Sequence, residues 1–316
     1  MLQIELSWQQ AGVIAGCLLG SAGAMRLAAH APAAQGLLAR GIPARWARRV
    51  ARAARVARTS RWARLAGFVQ EAGTMVGLFA LWQLAGSKPL LSTAGAVGRG
   101  RWLWHAERVL HMPSEAVVQR AFLPHPLLVQ ASNLYYAGLH FVVLIGCLAW
   151  VFARHRASYS RVRTTVVLFT GFALLVQLIP VAPPRLLAGD GMVDTAVRYG
   201  QSVYGSYAGF NPDQLSAMPS VHIGWALLVA VVVVHVSHSR WRWLALGYPA
   251  LTTLAVVVTA NHYWLDGVAA AILLALALLL QRAGQAAWRK LRRRRGHAVP
   301  VPPEPAPMAT GGGGGD

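Results

Sequence analysis

Three short stretches of this chain combine ionisable side chains with residues that stop or start helices, and together they hold the groups that phosphoryl transfer requires. The first is Ala182-Pro183-Pro184-Arg185-Leu186. Two prolines end a helix and set the chain direction, which puts the Arg185 guanidinium at the surface, where it can take a phosphate through two parallel N–H donors. The second is Ser216-Ala217-Met218-Pro219-Ser220-Val221-His222, running into an apolar helix. Proline is favourable near a helix start because its missing donor would be unpaired there, and the free amides beyond it form an anion site faced by His222. The third is Asn261-His262-Tyr263-Trp264-Leu265-Asp266. With a helix beginning near Asn261, His262 and Asp266 lie four apart on one face. The carboxylate then accepts from one imidazole nitrogen and leaves the other unprotonated and nucleophilic.

The elements that must bring these stretches together are membrane helices. Only 13% of the 316 residues are charged and 55% are hydrophobic, with a positive mean hydropathy, a balance foreign to a soluble domain of this length. Apolar runs long enough to cross a bilayer are predicted at 127–152, 164–181, 219–236, 243–260 and 264–280. A sixth, 65–84, is interrupted by Gln70 and Glu71 close to its basic end. The stretch from Trp8 to Met25 reads equally as a seventh span or an interfacial helix, and it lacks the positive start of a secretory signal peptide. The expected fold class is therefore all-α, a polytopic membrane bundle of six core transmembrane helices with a seventh candidate at the N-terminus. The expected organisation is an apolar segment and basic juxtamembrane belt over 1–64, the six-helix membrane domain over 65–283, and a basic, then Pro/Gly-rich, disordered cytoplasmic tail over 284–316. Cys17 and Cys147 are read as buried thiols rather than a disulfide or a zinc pair.

A formal charge of +20 raises nucleic acid as a partner, and its distribution answers against it. The Lys and Arg residues cluster at 26–64, 154–163, 240–242 and 282–295, beside or between apolar runs, as juxtamembrane belts on an anionic inner leaflet do. Within the first cluster, Arg45, Arg48, Arg49, Arg52 and Arg55 share one helical face. Putting every cluster in the cytoplasm satisfies all six helices at once and leaves 86–126, 182–217 and the turn at Asn261 outside. All three chemical stretches then meet at the outer face of what reads as a bacterial plasma membrane, the bacterial origin resting only on the richness in Ala, Arg and Gly. The outer stretch 99–122 is expected to form an amphipathic or re-entrant helix. Proton or ion transport is the less suited reading, because relay residues belong near mid-membrane, and a zinc hydrolase lacks any paired-histidine helix motif.

Pro183-Pro184-Arg185, Met218-Pro219-Ser220-Val221-His222 and His262-Tyr263-Trp264-Leu265-Asp266 resemble the three signature motifs of the type 2 phosphatidic acid phosphatase superfamily. The nearest branch by this resemblance is the inositol phosphorylceramide synthase type, whose second motif is Pro-Ser-x-His and whose third is His-x-x-x-Asp with an aromatic residue between. The resemblance covers residues 65–281. It implies that His262 attacks phosphorus to form a phosphohistidine, oriented by Asp266, while His222 protonates the leaving oxygen and then activates the acceptor. Arg185 and the amides near Ser220 would stabilise the equatorial oxygens, without a metal or other cofactor. The plain phosphatase pattern has a lysine where this chain has Leu178, and a Ser-Arg pair where it has Ala255 and Val256. Loss of those phosphate contacts favours transfer of a phosphorylated head group, inositol phosphate among the candidates, between lipids. The alternative is a metal-independent phosphatase of phosphatidic acid or polyprenyl pyrophosphate. Tyr136 and His140, four apart near the outer half of a span, are candidates for binding the head group, and Glu115 is a further polar candidate in the outer stretch.

Overall fold

The computed structural model describes residues 7–30, 65–81, 84, 93–187, 189, 191–202 and 214–296. Among them the chain is helical and contains no strand; one isolated bridge joins Val181 and Ser216. Ten helices carry the argument. They are α1 (Trp8–His30), α2 (Leu65–Leu81), α3 (Ala96–Val109), α4 (Glu115–Phe122), α5 (Pro126–Arg154), α6 (Arg156–Gln177), α7 (Thr195–Arg198), α8 (Val221–Val236), α9 (Arg240–Val258) and α10 (Trp264–Gly296). Four described segments are long and apolar enough to cross a membrane: α5, α6, α9 and the Trp264–Leu291 part of α10. The helices α2 and α8 are apolar but shorter.

Successive spans alternate in direction, so the starts of α8 and α10 and the ends of α6 and α9 meet at one end of the bundle. Their packed faces follow helical spacing: Leu144, Cys147, Leu148 and Val151 on α5, Val162, Val166, Phe169 and Ala173 on α6, Leu228, Val229 and Val232 on α8, and Ala270, Leu274 and Ala277 on α10. Lipid tails are as apolar as these side chains, so close packing rather than exclusion from water must hold them, and small residues permit it. At Gly224 of α8 a Cβ would lie 1.9 Å from the Phe169 ring, so the two helices touch only because that side chain is missing. Some polar side chains within the bundle pair with one another. Trp225 Nε1 donates to Thr170 Oγ1 at 3.1 Å. At the basic end Glu71 accepts from Tyr159 Oη at 3.0 Å and from Arg163.

Several boundaries differ from the sequence expectation. The span expected at 164–181 starts earlier, at Arg156, and stops at Gln177, four residues early, because Pro180 cannot continue it. The span expected from Pro219 begins at Val221, with Ser220 rather than proline at the helix start. The outer stretch 99–122 is two helices, α3 and α4, separated where His111 turns to a positive φ of 56° before Pro113. The α10 helix runs through the expected domain boundary at 283/284 as far as Gly296. Cys147 is buried, but Cys17 is exposed on α1, on the side away from the buried Ala11, Ala15 and Ala22. The basic belt helix around Arg45–Arg55 and the tail after Gly296 lie outside the described residues.

Gly224→Ala is expected to lower stability in detergent by about 1–3 kcal/mol, the usual cost of overpacking, whereas Gly171→Ala, with open space around it, leaves the melting temperature unchanged. Equal melting temperatures for the two variants would contradict the packing described.

Candidate active site

The three stretches singled out in the sequence are stitched together by their own backbones. Val181 N donates to Leu215 O, and Ala217 N returns a bond to Val181 O at 3.2 Å. Arg185 N donates to Ala260 O at 2.9 Å, and Ser220 N to Asp266 O at 3.3 Å. Tyr263, fully buried, reaches across with its hydroxyl to Ala182 O at 2.9 Å. Non-helical backbone at the end of a membrane bundle has to find partners within the protein, and here each stretch supplies them to the others.

Ala260 ends α9 in a left-handed conformation, φ 53°, with Asn261 N bonded to Val256 O and Ala260 N to Val257 O. A non-glycine residue there costs of order 1–2 kcal/mol, which the surrounding contacts must offset. The turn delivers Asn261, His262 and Tyr263 in non-helical conformation, and α10 starts at Trp264, not near Asn261. His262 and Asp266 therefore do not meet as neighbours on a helix face. Asp266 sits in the first turn and folds back, its Oδ2 accepting from Tyr263 N at 2.9 Å and lying 3.2 Å from His262 Nδ1. The same Nδ1 is 2.7 Å from Ala217 O. Both neighbours are acceptors, so Nδ1 carries the proton and Nε2 keeps its lone pair in the neutral ring. Nε2 is buried without a hydrogen-bond partner.

His222 lies in the first turn of α8, capped by Ser220, whose Oγ accepts from Ile223 N at 3.3 Å. Three rings surround His222: Tyr136 stacked at 4.3 Å, His140 at 4.1 Å and His262 at 5.4 Å between centroids. Tyr136 lies within, and His140 directly follows, a π-helical turn at Tyr135–Leu139 inside α5, a local widening often found at functional sites. That turn brings both rings onto His222. The Nδ1 atoms of His222 and His140 are buried without hydrogen-bond partners.

Arg185 departs from expectation. Its side chain is 1% exposed, inside a 3-10 turn over Pro184–Leu186, and its Nε lies 3.3 Å from Asp194 Oδ2. The loop bearing Asp194 is pinned by buried amides. Gln119 on α4 donates to Val193 O at 2.9 Å and Val258 O at 3.0 Å and accepts from Val193 N, while Asn133 on α5 pairs with Thr195 and Gln201. Gln119 and Asn133 went unseen in the sequence because their partners lie more than 60 positions away, and Asp194, only nine positions from Arg185, because no helical period links the two. Glu107 was missed too, although it and Glu115 are both acids in a chain that has ten against thirty bases. Glu115, read as a polar candidate, is fully buried beside Glu107. Glu107 Oε1 accepts from Leu265 N at 2.7 Å, at the start of α10. Among the described residues no group of three His, Cys, Asp or Glu side chains is arranged to hold a metal ion.

A family model for the PAP2 superfamily matches residues 101–280, more than half of the chain. The chain belongs to the PAP2 superfamily. No curated protein and no solved structure matches it. Membership suggests phosphatase or phosphotransferase activity on lipid phosphates, and the matched region contains all three stretches. It also takes in most of α3 and all of α4, so this hairpin is part of the matched PAP2 region.

Gly100 on α3 packs directly against the backbone of the site. A Cβ there would stand 2.6 Å from Ala182 O and 2.8 Å from Tyr263 Oη. Gly100→Ala is expected to break the Tyr263–Ala182 bond and to reduce turnover of a lipid phosphate by about tenfold or more, in line with misplacement near 1 Å. Gly98→Ala, which meets nothing within 4 Å, serves as the control and should match the parent.

Proposed function

We propose that this PAP2 protein is a membrane lipid phosphotransferase that works through a phosphohistidine at the extracytoplasmic face, moving a phosphorylated head group between lipids. Inositol phosphate is the leading head group, by resemblance to the inositol phosphorylceramide synthase branch. The observation that carries the reading is the pair of acceptors on His262 Nδ1, Ala217 O and Asp266 Oδ2, which leaves Nε2 as the one nucleophilic nitrogen.

In the first half-reaction the Nε2 lone pair forms a bond to phosphorus as the bond from phosphorus to the lipid oxygen breaks, and protonated His222 gives its proton to that oxygen. Asp266 stabilises the positive charge that develops on His262. In the second half, neutral His222 takes the proton of an acceptor hydroxyl whose oxygen attacks phosphorus, and the phosphorus–nitrogen bond breaks to restore His262. Arg185 and the amides at the start of α8 face the equatorial oxygens, with Arg185 exchanging its Asp194 partner for phosphate. Tyr136 and His140 line the head-group side, and the Ser220 hydroxyl, whose oxygen already accepts from Ile223 N, keeps its proton to donate.

An alcohol acceptor gives transfer and water gives hydrolysis. Leu178, Ala255 and Val256, in place of the cationic and Ser-Arg positions of the phosphatase pattern, support transfer. Ala255 and Val256 are buried in α9 and hold no polar group toward a phosphate. The dense basic clusters at the opposite end of the bundle support an outward-facing site.

The test uses the purified full chain in detergent with a chelator present and a phospholipid labelled in its head-group phosphate. The parent is expected to accumulate acid-labile, base-stable label on protein. His262→Ala should abolish both label and turnover, and His222→Ala should slow turnover by about 10²–10⁴-fold, the usual worth of a general acid. Turnover that disappears with the chelator would replace the phosphohistidine with metal chemistry. Adding diacylglycerol or a polyprenol should yield a new phosphodiester; release of the phosphorylated head group alone with every acceptor would assign hydrolysis instead.

A further inference from the structure

Glu107 on α3 and Glu115 on α4 are each 0% exposed. Both converge on one nitrogen of Arg108, while Glu107 Oε2 and Glu115 Oε1 are buried with no donor on them; two buried acids beside a single cation disfavour a double charge, so the pair keeps one proton. The groups facing the pair are few. Arg108 Nη2 lies 3.2 Å from Glu115 Oε2 and 3.8 Å from Glu107 Oε2, leaving one negative charge opposite one positive. From α10 come the Leu265 amide, 2.7 Å from Glu107 Oε1, and the Asp266 carboxyl, close enough to repel. Burial above all, then the neighbouring Glu115 carboxyl and repulsion from Asp266, push Glu107 up to about 9, with the Leu265 amide pulling the other way.

Leu265 immediately precedes Asp266. The turn that Glu107 grips is therefore the turn whose carboxylate holds His262 Nδ1. Without Glu107 the Leu265 amide at the start of α10 would lose this acceptor.

We propose that Glu107, joined to Glu115 by a shared proton, is a positioning residue for the reaction: it fixes the first turn of α10 and through it the Asp266 carboxylate that orients His262. The inference rests on the reading of His262 as nucleophile. It assigns the α3–α4 hairpin a part in catalysis that the three motifs do not contain.

The pH dependence follows from the direction of the shift. Glu107 binds its proton more tightly in the folded chain than in the unfolded one. Its stabilising contribution is therefore whole below about pH 4.5 and is lost as pH rises through about 9. Glutamine keeps an oxygen for Leu265 N and supplies a permanent donor to Glu115, so Glu107→Gln should lack that loss.

The experiment measures melting temperature and orthovanadate affinity of the full chain in detergent from pH 5 to 10, vanadate mimicking the five-coordinate phosphorus whatever the lipid. The parent is expected to lose melting temperature relative to Glu107→Gln between about pH 5 and pH 9; parallel curves overturn the shared proton. At pH 7, Glu107→Ala should weaken vanadate by roughly tenfold or more and Glu107→Gln should recover most of it. Unchanged affinity in the alanine variant, or a glutamine variant as weak as alanine, overturns the positioning role. Should the alanine variant fail to fold, the vanadate arm reads parent against glutamine: affinity that falls more steeply above about pH 9 in the parent supports the inference, and identical profiles overturn it. Vanadate affinity that survives His262→Ala unchanged overturns the nucleophile reading, and the inference with it.

Discussion

The organisation of this protein depends on one requirement: backbone that leaves helical geometry at the end of a membrane bundle must still pair every donor and acceptor. Water is scarce there and an unmade bond is costly. The segments 180–187, 214–220 and 259–263 meet the requirement by bonding to each other, through Val181 with Leu215 and Ala217, Arg185 with Ala260, and Ser220 with Asp266. The candidate site uses the same bonds. The Ala217 carbonyl that holds His262 Nδ1 belongs to this lattice, so the tautomer of the candidate nucleophile and the satisfaction of the backbone have one cause.

Charge is distributed to the same end. Of the five acidic residues in the described segments, Glu107, Glu115, Asp194 and Asp266 gather around the site and only Glu71 lies at the basic end. In a chain with a net charge of +20 that concentration is not a background. Each carboxyl is tied to a particular donor: Glu107 to the Leu265 amide, Glu115 to Arg108, Asp194 to Arg185 and Asp266 to His262. Buried carboxyl groups in low-dielectric surroundings persist when partnered in this way. A result is that Arg185 is buried against Asp194 instead of standing free at the surface as the two prolines before it suggest.

Helical periodicity and charge placement in the sequence convey much of the bundle. The spans at 126–154, 156–177 and 240–258 and the start of the last helix at Trp264 fall within a few residues of where hydropathy puts them, apart from the first turns of α6. The errors have local causes. The start of α8 was put at Pro219 rather than Val221, and the motif turn was read as helix from Asn261 rather than from Trp264, because both starts are set by side chains reaching back to the chain, which no hydropathy run records. The outer stretch read as a single helix because Trp102, Trp104, Val109 and Val117 keep an apolar rhythm across a turn that His111 and Pro113 impose.

The residue types at the site, two histidines with an aspartate and an arginine in apolar surroundings, were determined by the sequence alone. An ionisable group in a span is too expensive to persist without a use. Only the tertiary structure decided what surrounds them: Ala217 O on His262, Asp194 on Arg185, Tyr136 and His140 on His222, and Glu107 under the turn of Asp266. The reason is physical. Motif residues are visible because their cost is local, paid by one side chain in one apolar segment. Apart from Asp194, nine positions from Arg185, their partners are recruited across 40 to 160 positions by chain geometry, and a backbone carbonyl that completes a site bears no mark in its residue's name.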